Sequence, residues 1–150
     1  MSYLILLIGV LMMALTVAIH AIGSVKWLGF VKTRHDNWTN INGIRSLYGV
    51  VIWTAVVLLL LHFIEVVLWA LFYFMLPDNA GLSNWPEAVY FSVVTFTTLG
   101  YGDITLNPEW RQLSGMQAMV GIVVFGLTTA ILFTVIQRLW QVSHKALNDS

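Results

Sequence analysis

The sequence predicts an all-α integral membrane protein with three membrane-spanning helices and one shorter helix that enters the membrane without crossing it. Two features carry this prediction. Hydrophobic residues make up 59% of the 150-residue chain and charged residues only 9%, whereas soluble domains are close to half apolar and a quarter charged. The apolar residues also form three long stretches that can each cross a bilayer core, with a shorter apolar segment between the second and the third.

Composition and charge exclude several classes of function. The chain has seven basic and seven acidic residues and a formal net charge of zero, and this balance argues against a nucleic-acid partner. It has no cysteine, which excludes a disulfide, a thiolate metal site and a cysteine nucleophile. No Ser/His/Asp set, metal-ligand cluster or phosphate-binding loop is visible in the sequence. We therefore expect neither enzyme activity nor an organic cofactor.

The first apolar stretch, Tyr3 to Ile22, contains no Lys, Arg, Asp or Glu. About twenty such residues suffice to cross a bilayer core as a helix. A signal peptide is a poorer interpretation because no basic residue precedes the stretch and the apolar run is too long. Residues 1–22 are therefore predicted to form a transmembrane helix, and His20, near its end, is interpreted as an interfacial residue rather than a ligand.

Residues 23–46 form a polar, basic segment. Short loops rich in Lys and Arg stay on the cytoplasmic side of a membrane, so this segment is predicted to be a cytoplasmic linker. Trp27, Phe30 and Val31 share one face of a helix, which favours a short amphipathic helix at the membrane surface; a partly ordered linker is the alternative. The charged residues of the segment are Lys26, Lys32, Arg34, Arg45 and one acid, Asp36.

The second apolar stretch, Leu47 to Leu76, is long enough to cross the membrane with a tilt. It contains His62 and Glu65, which lie three residues apart and therefore share a helix face. Ionisable residues inside a membrane span are costly and indicate a functional site. Two interpretations stay open. Glu65 supports the fold, either protonated or hydrogen-bonded to Ser92 or Thr95 of the short helix, or the pair gives proton-sensitive control of the loop that follows the short helix.

The short helix is predicted from the signals at its start. The segment from Pro77 to Asn84 is rich in turn-forming residues. Asn84, Pro86 and Glu87 then suit the cap, the first turn and the positive dipole end of a helix. A helix from Pro86 to Thr97 is too short to cross a membrane. It is therefore predicted to be re-entrant, and such a helix is tolerated at membrane depth only when protein surrounds it.

The third span is predicted from Leu113 to Trp140, and residues 141–150 are predicted to be a short cytoplasmic tail. Basic residues concentrate in the linker and in this tail, which places both on the cytoplasmic side. With an odd number of spans, the N-terminus lies outside and the C-terminus lies in the cytoplasm. The loop after the short helix then enters the membrane from the outside. The loops that contain the acidic residues Asp78, Asp103 and Glu109 lie on the same outer side.

Between the short helix and the third span lies the string Thr97-Thr98-Leu99-Gly100-Tyr101-Gly102-Asp103. A pore that passes a bare cation has to replace the water shell of the ion with oxygen atoms, and successive backbone carbonyls can do so when they face a common axis. An L-residue chain holds that conformation only where some positions accept a positive φ, which glycine does at little cost. Gly100 and Gly102 occupy alternate positions, as this conformation requires.

This string resembles the selectivity-filter signature of potassium channels of the tetrameric pore-loop family, and in particular that of small bacterial two-span potassium channels. The resemblance covers residues 47–140, which it identifies as a pore domain of outer helix, pore helix, filter and inner helix. It does not cover the first span. It implies potassium-selective conduction by four chains around a four-fold axis, so that each chain has three identical partner subunits and contacts membrane lipids. K⁺ would then be the permeant ion. The resemblance implies no nucleic-acid partner.

The resemblance also implies roles for single residues. It implies that K⁺ is bound by oxygens of the filter residues Thr98, Leu99, Gly100, Tyr101 and Gly102, chiefly the first four. In the family the filter tyrosine braces the filter against the pore helix, and here Tyr90 or Phe91 are its candidate partners. Many relatives pair the aspartate after the filter with a glutamate, but Val94 stands at that position, so the pair is absent. The predicted filter support consists of Thr97, Asp103, Val94 and Tyr90.

The third span resembles the inner helix of the same channels. Gly121 matches the proposed gating hinge of the family, and Gly126 is a second candidate that forms a small-x-x-x-small pair with Ala130. A role in packing alone is the alternative for both glycines. No voltage sensor is expected, because no span carries arginine at every third position.

The predicted function is passive, potassium-selective conduction across a cell membrane, the bacterial inner membrane. One alternative is a non-selective cation channel. Tyr101 argues against it, because such relatives commonly replace the filter tyrosine with an acid. The other alternative is a non-conducting membrane subunit whose pore loop is vestigial.

Overall fold

The computed structural model describes residues 2–34 and 44–148, with side chains described for residues 3–33 and 48–141. In this part of the chain all regular secondary structure is helical, and no strand is present. The predicted all-α fold class is confirmed. The elements are α1 (Ser2–Arg34), α2 (Ile44–Met75), a 3₁₀ turn (Pro77–Gly81), α3 (Trp85–Phe96) and α4 (Arg111–Asn148).

Three of these helices are long and apolar enough to cross a membrane. The candidate spans within them are Tyr3–Thr33, Tyr48–Met75 and Arg111–Gln141. The helix α3 has only 12 residues, which is too few to cross a hydrocarbon core. The order of two spans, a short helix and a third span is the order predicted from the sequence.

The first helix differs from the prediction. Instead of ending at Ile22, α1 continues for 33 residues to Arg34, so the separate surface helix predicted around Trp27 is wrong. Tertiary contacts hold this extension: a Cβ atom at Gly23 would lie 2.6 Å from Leu61 Cδ2, which shows how closely α1 approaches α2. The part of the predicted linker from 35–43 lies outside the described residues, and α2 already begins at Ile44.

The last helix is also longer than predicted. The third span was expected to end at Trp140, but α4 continues to Asn148. The sequence after Trp140 contains no proline or glycine until the described residues end, so it holds no signal that stops a helix. Most of the predicted tail is therefore a continuation of α4, while residues 149–150 lie outside the described part.

Helix α1 runs antiparallel to α2. Trp69 Nε1 of α2 donates a hydrogen bond to Thr16 Oγ1 of α1 at 2.9 Å. Farther along α1, Trp27 Nε1 donates to Thr54 Oγ1 at 3.0 Å. The residue numbers rise along α1 as they fall along α2, and interhelical hydrogen bonds of this kind hold helices together where apolar burial supplies little drive.

Helix α1 runs parallel to α4. A Cβ atom at Gly9 would overlap the side chain of Met116, and at the other end Val31 packs in one apolar cluster with Val135 and Leu139. The first residues of α1 therefore lie at the same end of the molecule as the start of α4. The sequence left open whether α1 packs in its own subunit, and in this structure it packs against α2 and α4 of the same chain.

Helix α3 is held between α2 and α4. Its Phe91 ring packs edge-on against Tyr73 of α2, with ring centroids 5.4 Å apart. On the other side, a Cβ atom at Gly121 of α4 would overlap the carbonyl oxygen of Phe96, the last residue of α3. Only a glycine allows this close approach, so Gly121 has a packing role at the end of the short helix.

We expect Gly121→Ala to lower the free energy of unfolding by about 1–3 kcal/mol, because the added methyl group overpacks the contact with Phe96. The matched control is Gly126→Ala on the same helix, where a Cβ atom would have no neighbour within 4 Å. That control should be as stable as the parent or slightly more stable, since alanine favours a helix. Thermal unfolding of the purified protein in detergent measures both. Equal melting temperatures for the two variants would contradict the packing role.

Candidate functional site

The loop of interest follows directly from α3, which begins at Trp85, one residue before the predicted start. Asn84 caps the helix, its side-chain oxygen accepting a hydrogen bond from the Glu87 amide at 3.0 Å. The helix ends at Phe96, and Thr97 is its C-cap. The predicted bounds of this helix were each one residue too late.

The backbone of the loop alternates in the sign of φ. Thr98, Gly100 and Gly102 have positive φ values of 61°, 55° and 78°, whereas Leu99 and Tyr101 between them do not. The two glycines were predicted to accept this conformation. Thr98 was not, because non-glycine residues seldom adopt a positive φ and nothing in its side chain indicates one.

Backbone hydrogen bonds to the end of α3, rather than a preference of its side chain, accompany the positive φ of Thr98. The amide of Thr98 donates to the Thr95 carbonyl at 2.9 Å, and the amide of Gly100 donates to the Val94 carbonyl at 3.2 Å. These bonds tie the start of the loop to the last turn of α3. They hold Thr98 in a backbone region that costs about 1–3 kcal/mol for a non-glycine residue.

The two loop glycines are required for conformation and not for space. A Cβ atom at Gly102 would have no neighbour within 4 Å, and at Gly100 the nearest atom, the Thr98 carbonyl oxygen, lies 4.0 Å away. An L side chain at either position would therefore be strained by its φ value and not by a clash.

The whole loop lies at the surface of the single chain. All of residues 97–103 are exposed, and the Tyr101 side chain is 67% exposed. The described ring contact of Phe91 is with Tyr73 and not with Tyr101. A single chain therefore does not form the predicted brace between Tyr101 and the short helix.

Asp103 has a partner that the sequence did not predict. The Tyr90 hydroxyl donates a hydrogen bond to Asp103 Oδ2 at 2.8 Å. Val94 is buried and apolar, as expected, so a carboxyl pair is absent, and the phenol holds the end of the loop instead. The hydrogen bond to the Asp103 carboxylate raises the pKa of Tyr90 above its ordinary value of 10.0.

A cavity of about 310 Å³ lies behind the loop. Its walls come from α3, the loop itself and the first turns of α4. On the α3 side it is lined by Tyr90, Phe91, Val94 and Thr95, and on the α4 side by Ser114, Gly115 and Ala118.

Behind α3, a network of buried hydrogen bonds joins three helices. The Tyr73 hydroxyl of α2 donates to Gln117 Oε1 of α4 at 2.9 Å. Gln117 Nε2 donates to Ser92 Oγ of α3 at 2.7 Å, and Ser92 Oγ donates to the Val66 carbonyl of α2 at 2.7 Å. All three side chains are fully buried, so the network fixes α3 against both long helices.

Sequence reasoning missed this network. Ser92 was expected to pair with Glu65, but its acceptor is the carbonyl of the next residue, Val66. Gln117 was not considered, although a glutamine inside an apolar span is a recognised means of joining helices. That was the signal in the sequence that could have found it.

The ionisable residues predicted inside the second span form a separate cluster. Glu65 is fully buried, and its two carboxylate oxygens lie 3.0 Å from His20 Nδ1 and 3.2 Å from His62 Nδ1. The interpretation of His20 as an interfacial residue is wrong, because its side chain is completely buried between helices. The second nitrogen of each histidine faces Thr128 Oγ1 of α4.

The candidate hinge positions lie in an unbroken helix. Helix α4 runs from Arg111 to Asn148 without interruption. Gly121 contacts the end of α3, whereas Gly126 has no neighbour within 4 Å of its Cβ position. Packing in this chain accounts for Gly121 but not for Gly126, and a hinge role for either glycine stays a prediction.

A family comparison adds to this geometry. Residues 59–138, which run from α2 through the loop into α4, match the model of a family described as ion channel. The chain belongs to this ion channel family. The predicted resemblance is thereby confirmed, and the family is one of ion channels rather than of enzymes.

The curated relatives of this chain are potassium channels by name. It is 36% identical over 96 residues to a cyclic nucleotide-gated potassium channel of Mesorhizobium japonicum and 35% identical over 96 residues to one of Rhizobium etli; each match covers 63% of this chain and 24% of the relative. It is also 36% identical over 55 residues to a potassium voltage-gated channel protein of Caenorhabditis elegans, covering 36% of this chain and 10% of that protein.

The chain therefore spans about a quarter of the length of the bacterial relatives and a tenth of the nematode one. No solved structure shows a significant match to it.

We expect Tyr90→Phe to loosen the channel loop around Asp103, because the phenol is the described donor to that carboxylate. Amide hydrogen exchange across residues 98–103 should be faster in the variant, with Tyr48→Phe as an exposed control on α2. Since the bond raises the Tyr90 pKa, its stabilisation is fully present below about pH 10 and is lost as the pH rises through the raised value. Identical exchange in variant and parent at pH 7 would show that the bond does not hold the loop.

We expect Gln117→Leu to destabilise the protein more than the same substitution at Gln112, which is exposed and lies five residues earlier in the same helix. The first change leaves the buried Tyr73 hydroxyl without its acceptor, which costs about 1–3 kcal/mol, and removes one of the two hydrogen bonds of Ser92 Oγ. Denaturant unfolding in detergent measures the difference. If both variants unfold alike, the network contributes nothing to holding α3.

Proposed function

We propose that this ion channel conducts K⁺ selectively and passively through a filter built from its pore loop. In this proposal the oxygens of Thr98, Leu99, Gly100 and Tyr101 bind the permeant ion, and Gly102 completes the turn at the outer end. The observation that carries the proposal is the alternation of φ along a loop exposed at the surface of the chain.

Dehydration of the ion sets the first requirement on such a filter. A cation enters a narrow pore only when oxygen atoms replace its water shell, and rows of backbone carbonyls can do this in potassium channels. Residues whose φ alternates in sign turn successive peptide groups so that their carbonyls can face one side. The positive φ values at Thr98, Gly100 and Gly102 meet this requirement, which supports a carbonyl-lined filter.

One chain supplies one side of such a filter. A closed ring of oxygens needs further copies around a shared axis, and cyclic symmetry is the usual way in which identical chains close a ring. We propose four copies, a homotetramer in which the exposed loops of residues 97–103 face each other. In that assembly the outer apolar faces of the helices contact membrane lipids.

The short helix supports cation passage. The carbonyl end of a helix carries a partial negative charge, and α3 ends at Phe96 directly before the loop. Four such ends near a common axis would favour a cation there. We treat this as secondary to the filter oxygens, because the dipole effect falls off within the last turn.

The proposed orientation places the N-terminus outside and the C-terminus in the cytoplasm. The parallel packing of α1 and α4 puts their N-terminal ends on one side, with the loop that precedes α4. The opposite end of α1 carries Lys26, Lys32 and Arg34, and short basic segments favour the cytoplasm. The bacterial relatives support a bacterial inner membrane as the location.

The test is the reversal potential of the purified, reconstituted protein under opposed K⁺ and Na⁺ gradients. We expect a value close to the K⁺ equilibrium potential. Gly100→Ala should abolish the selectivity or the current, because alanine at a φ of 55° is strained by about 1–3 kcal/mol. The control is Gly29→Ala on α1, where a Cβ atom meets nothing within 4 Å, and it should conduct like the parent.

Two other results would each replace the proposal. A reversal potential midway between the K⁺ and Na⁺ values indicates a non-selective cation channel. Absence of current from a correctly folded and assembled protein indicates a non-conducting subunit with a vestigial loop.

A further inference from the structure

Near the middle of α1, α2 and α4, four side chains form a closed ring of hydrogen bonds, which we call the histidine ring. Glu65 contacts Nδ1 of His20 at 3.0 Å and Nδ1 of His62 at 3.2 Å. Thr128 Oγ1 contacts Nε2 of His62 at 2.9 Å and Nε2 of His20 at 3.1 Å. We propose that the histidine ring is a binding site for a single exchangeable proton, and that this proton fastens α1 to the predicted inner helix α4.

The four contacts of the histidine ring fix the number of hydrogens that it holds. Each of the four contacts joins two electronegative atoms, so each needs one hydrogen to be a hydrogen bond. The Thr128 hydroxyl supplies one hydrogen and can donate it to only one histidine. The remaining three hydrogens have to be carried by His20, His62 and Glu65 together. Two neutral histidines carry only two, so the closed ring holds one proton more than neutral histidines and an ionised carboxylate provide.

The additional proton has two possible positions. It can make one histidine an imidazolium beside an ionised Glu65, or it can reside on Glu65 between two neutral histidines of opposite tautomer. Both arrangements complete all four bonds, and both have zero net charge, which burial between apolar helices favours. In either arrangement His20 and His62 are in different protonation forms.

Any other proton number opens the ring. When the proton is lost, one contact joins two bare acceptors and the site carries a negative charge. When a further proton is bound, the Nε2–H groups of both histidines donate to Thr128 Oγ1. The hydroxyl hydrogen of Thr128 then has no acceptor in the ring, and the site becomes positive. Both changes weaken the connection between α1, α2 and α4. The two histidines and the carboxylate are buried, and a buried polar group that is left unpaired is costly.

A metal ion is a poorer occupant of the same place. The ligand atoms of the three titratable groups lie within 4.8 Å of one another, but a cation bound to both Nδ1 atoms would make both Nε2 atoms donors to Thr128. The Thr128 hydrogen would then need an acceptor outside the ring. Other threonines in these helices donate to the carbonyl four residues earlier, but no such bond is described for Thr128. The threonines that do donate to the carbonyl four residues earlier are Thr16, Thr54, Thr129 and Thr134.

The ring is isolated from other ionisable groups. Among the described side chains of the four helices, none of the remaining titratable groups forms a hydrogen bond to it. Helix α4 has no titratable side chain between its two described arginines, and Tyr73 of α2 is committed to Gln117. The groups on the packed elements are Tyr3, Lys26 and Lys32 of α1, Tyr48 and Tyr73 of α2, Glu87 and Tyr90 of α3, and Arg111 and Arg138 of α4.

The ring is connected to the pore loop by aromatic contacts. The His62 ring lies 4.5 Å from Phe125 of α4 and 6.0 Å from Phe96, measured between ring centroids. Phe96 is the last residue of α3, directly before the loop. Loss of the closed ring therefore releases a support of the loop as well as α1. This consequence for conduction rests on the proposed function, whereas the proton count does not.

The first experiment reads the protonation forms directly. The full chain carrying His35→Gln and His144→Gln retains only His20 and His62 as histidines. Nitrogen-15 NMR of this protein in lipid bilayers near neutral pH should show two imidazoles in different forms, either a cation beside a neutral ring or two opposite tautomers. Two histidines in the same form would overturn the proposal.

The second experiment removes the acid but keeps the ring. In Glu65→Gln the amide oxygen accepts from one histidine and the amide N–H donates to the other, so all four bonds close without the acidic proton. We expect the melting temperature and the K⁺ flux of the parent to decline at alkaline pH, and this decline to be lost in Glu65→Gln. Glu109→Gln, an exposed site in the outer loop, is the matched control and should keep the parental profile.

Three other results would contradict either the proton site or the proposed function. Alkaline profiles that are the same in the parent and in Glu65→Gln contradict the proton site. One equivalent of zinc per purified chain that His20→Gln abolishes replaces the proton with a metal and also contradicts it. Absence of flux at every pH, with the two histidines still in different forms and the alkaline melting decline still lost in Glu65→Gln, overturns the proposed function and leaves the proton site supported.

Discussion

The structure depends on one constraint: a polar side chain inside an apolar helix bundle has to find its partner within the protein, and among the described buried side chains only the Ser24 hydroxyl has none. Each long helix meets this constraint by bonding to a neighbouring helix. Trp69 bonds to Thr16, Trp27 to Thr54, and Gln117 to Ser92. Since lipid is as apolar as the side chains around it, burial alone gives little preference for one helix arrangement over another. The hydrogen bonds therefore select which helices meet and in which register.

These bonds also explain how a strained loop can be stable. Thr98 holds a positive φ that its own side chain does not favour, and such strain persists only where the surroundings over-determine it. The loop is tied to α3 by the amides of Thr98 and Gly100. Helix α3 in turn is fixed to α2 and α4 through Ser92. Rigidity behind the loop thus maintains the backbone geometry on its exposed side.

Helix α1 joins the ion channel segment through the same kind of contact. The family match begins within α2 and does not include α1, yet α1 supplies His20 to a ring whose other members come from α2 and α4. A helix outside the matched region therefore has a buried polar connection to the helix predicted to line the pore. His62 of the same ring also packs near Phe96, the residue directly before the loop, so a line of contacts runs from α1 to the start of the loop.

The sequence alone determined the number of spans, the short helix with its Asn84 cap, the position of the loop and the need for glycine at two of its positions. These features follow from apolar run length, helix-end signals and the φ preference of glycine, which are all local. Tertiary structure decided the length of α1, the Tyr90–Asp103 bond and the meeting of His20 with Glu65. Each of these depends on atoms from segments distant in sequence, and residue spacing within one helix carries no information about which residue a neighbouring helix presents to it.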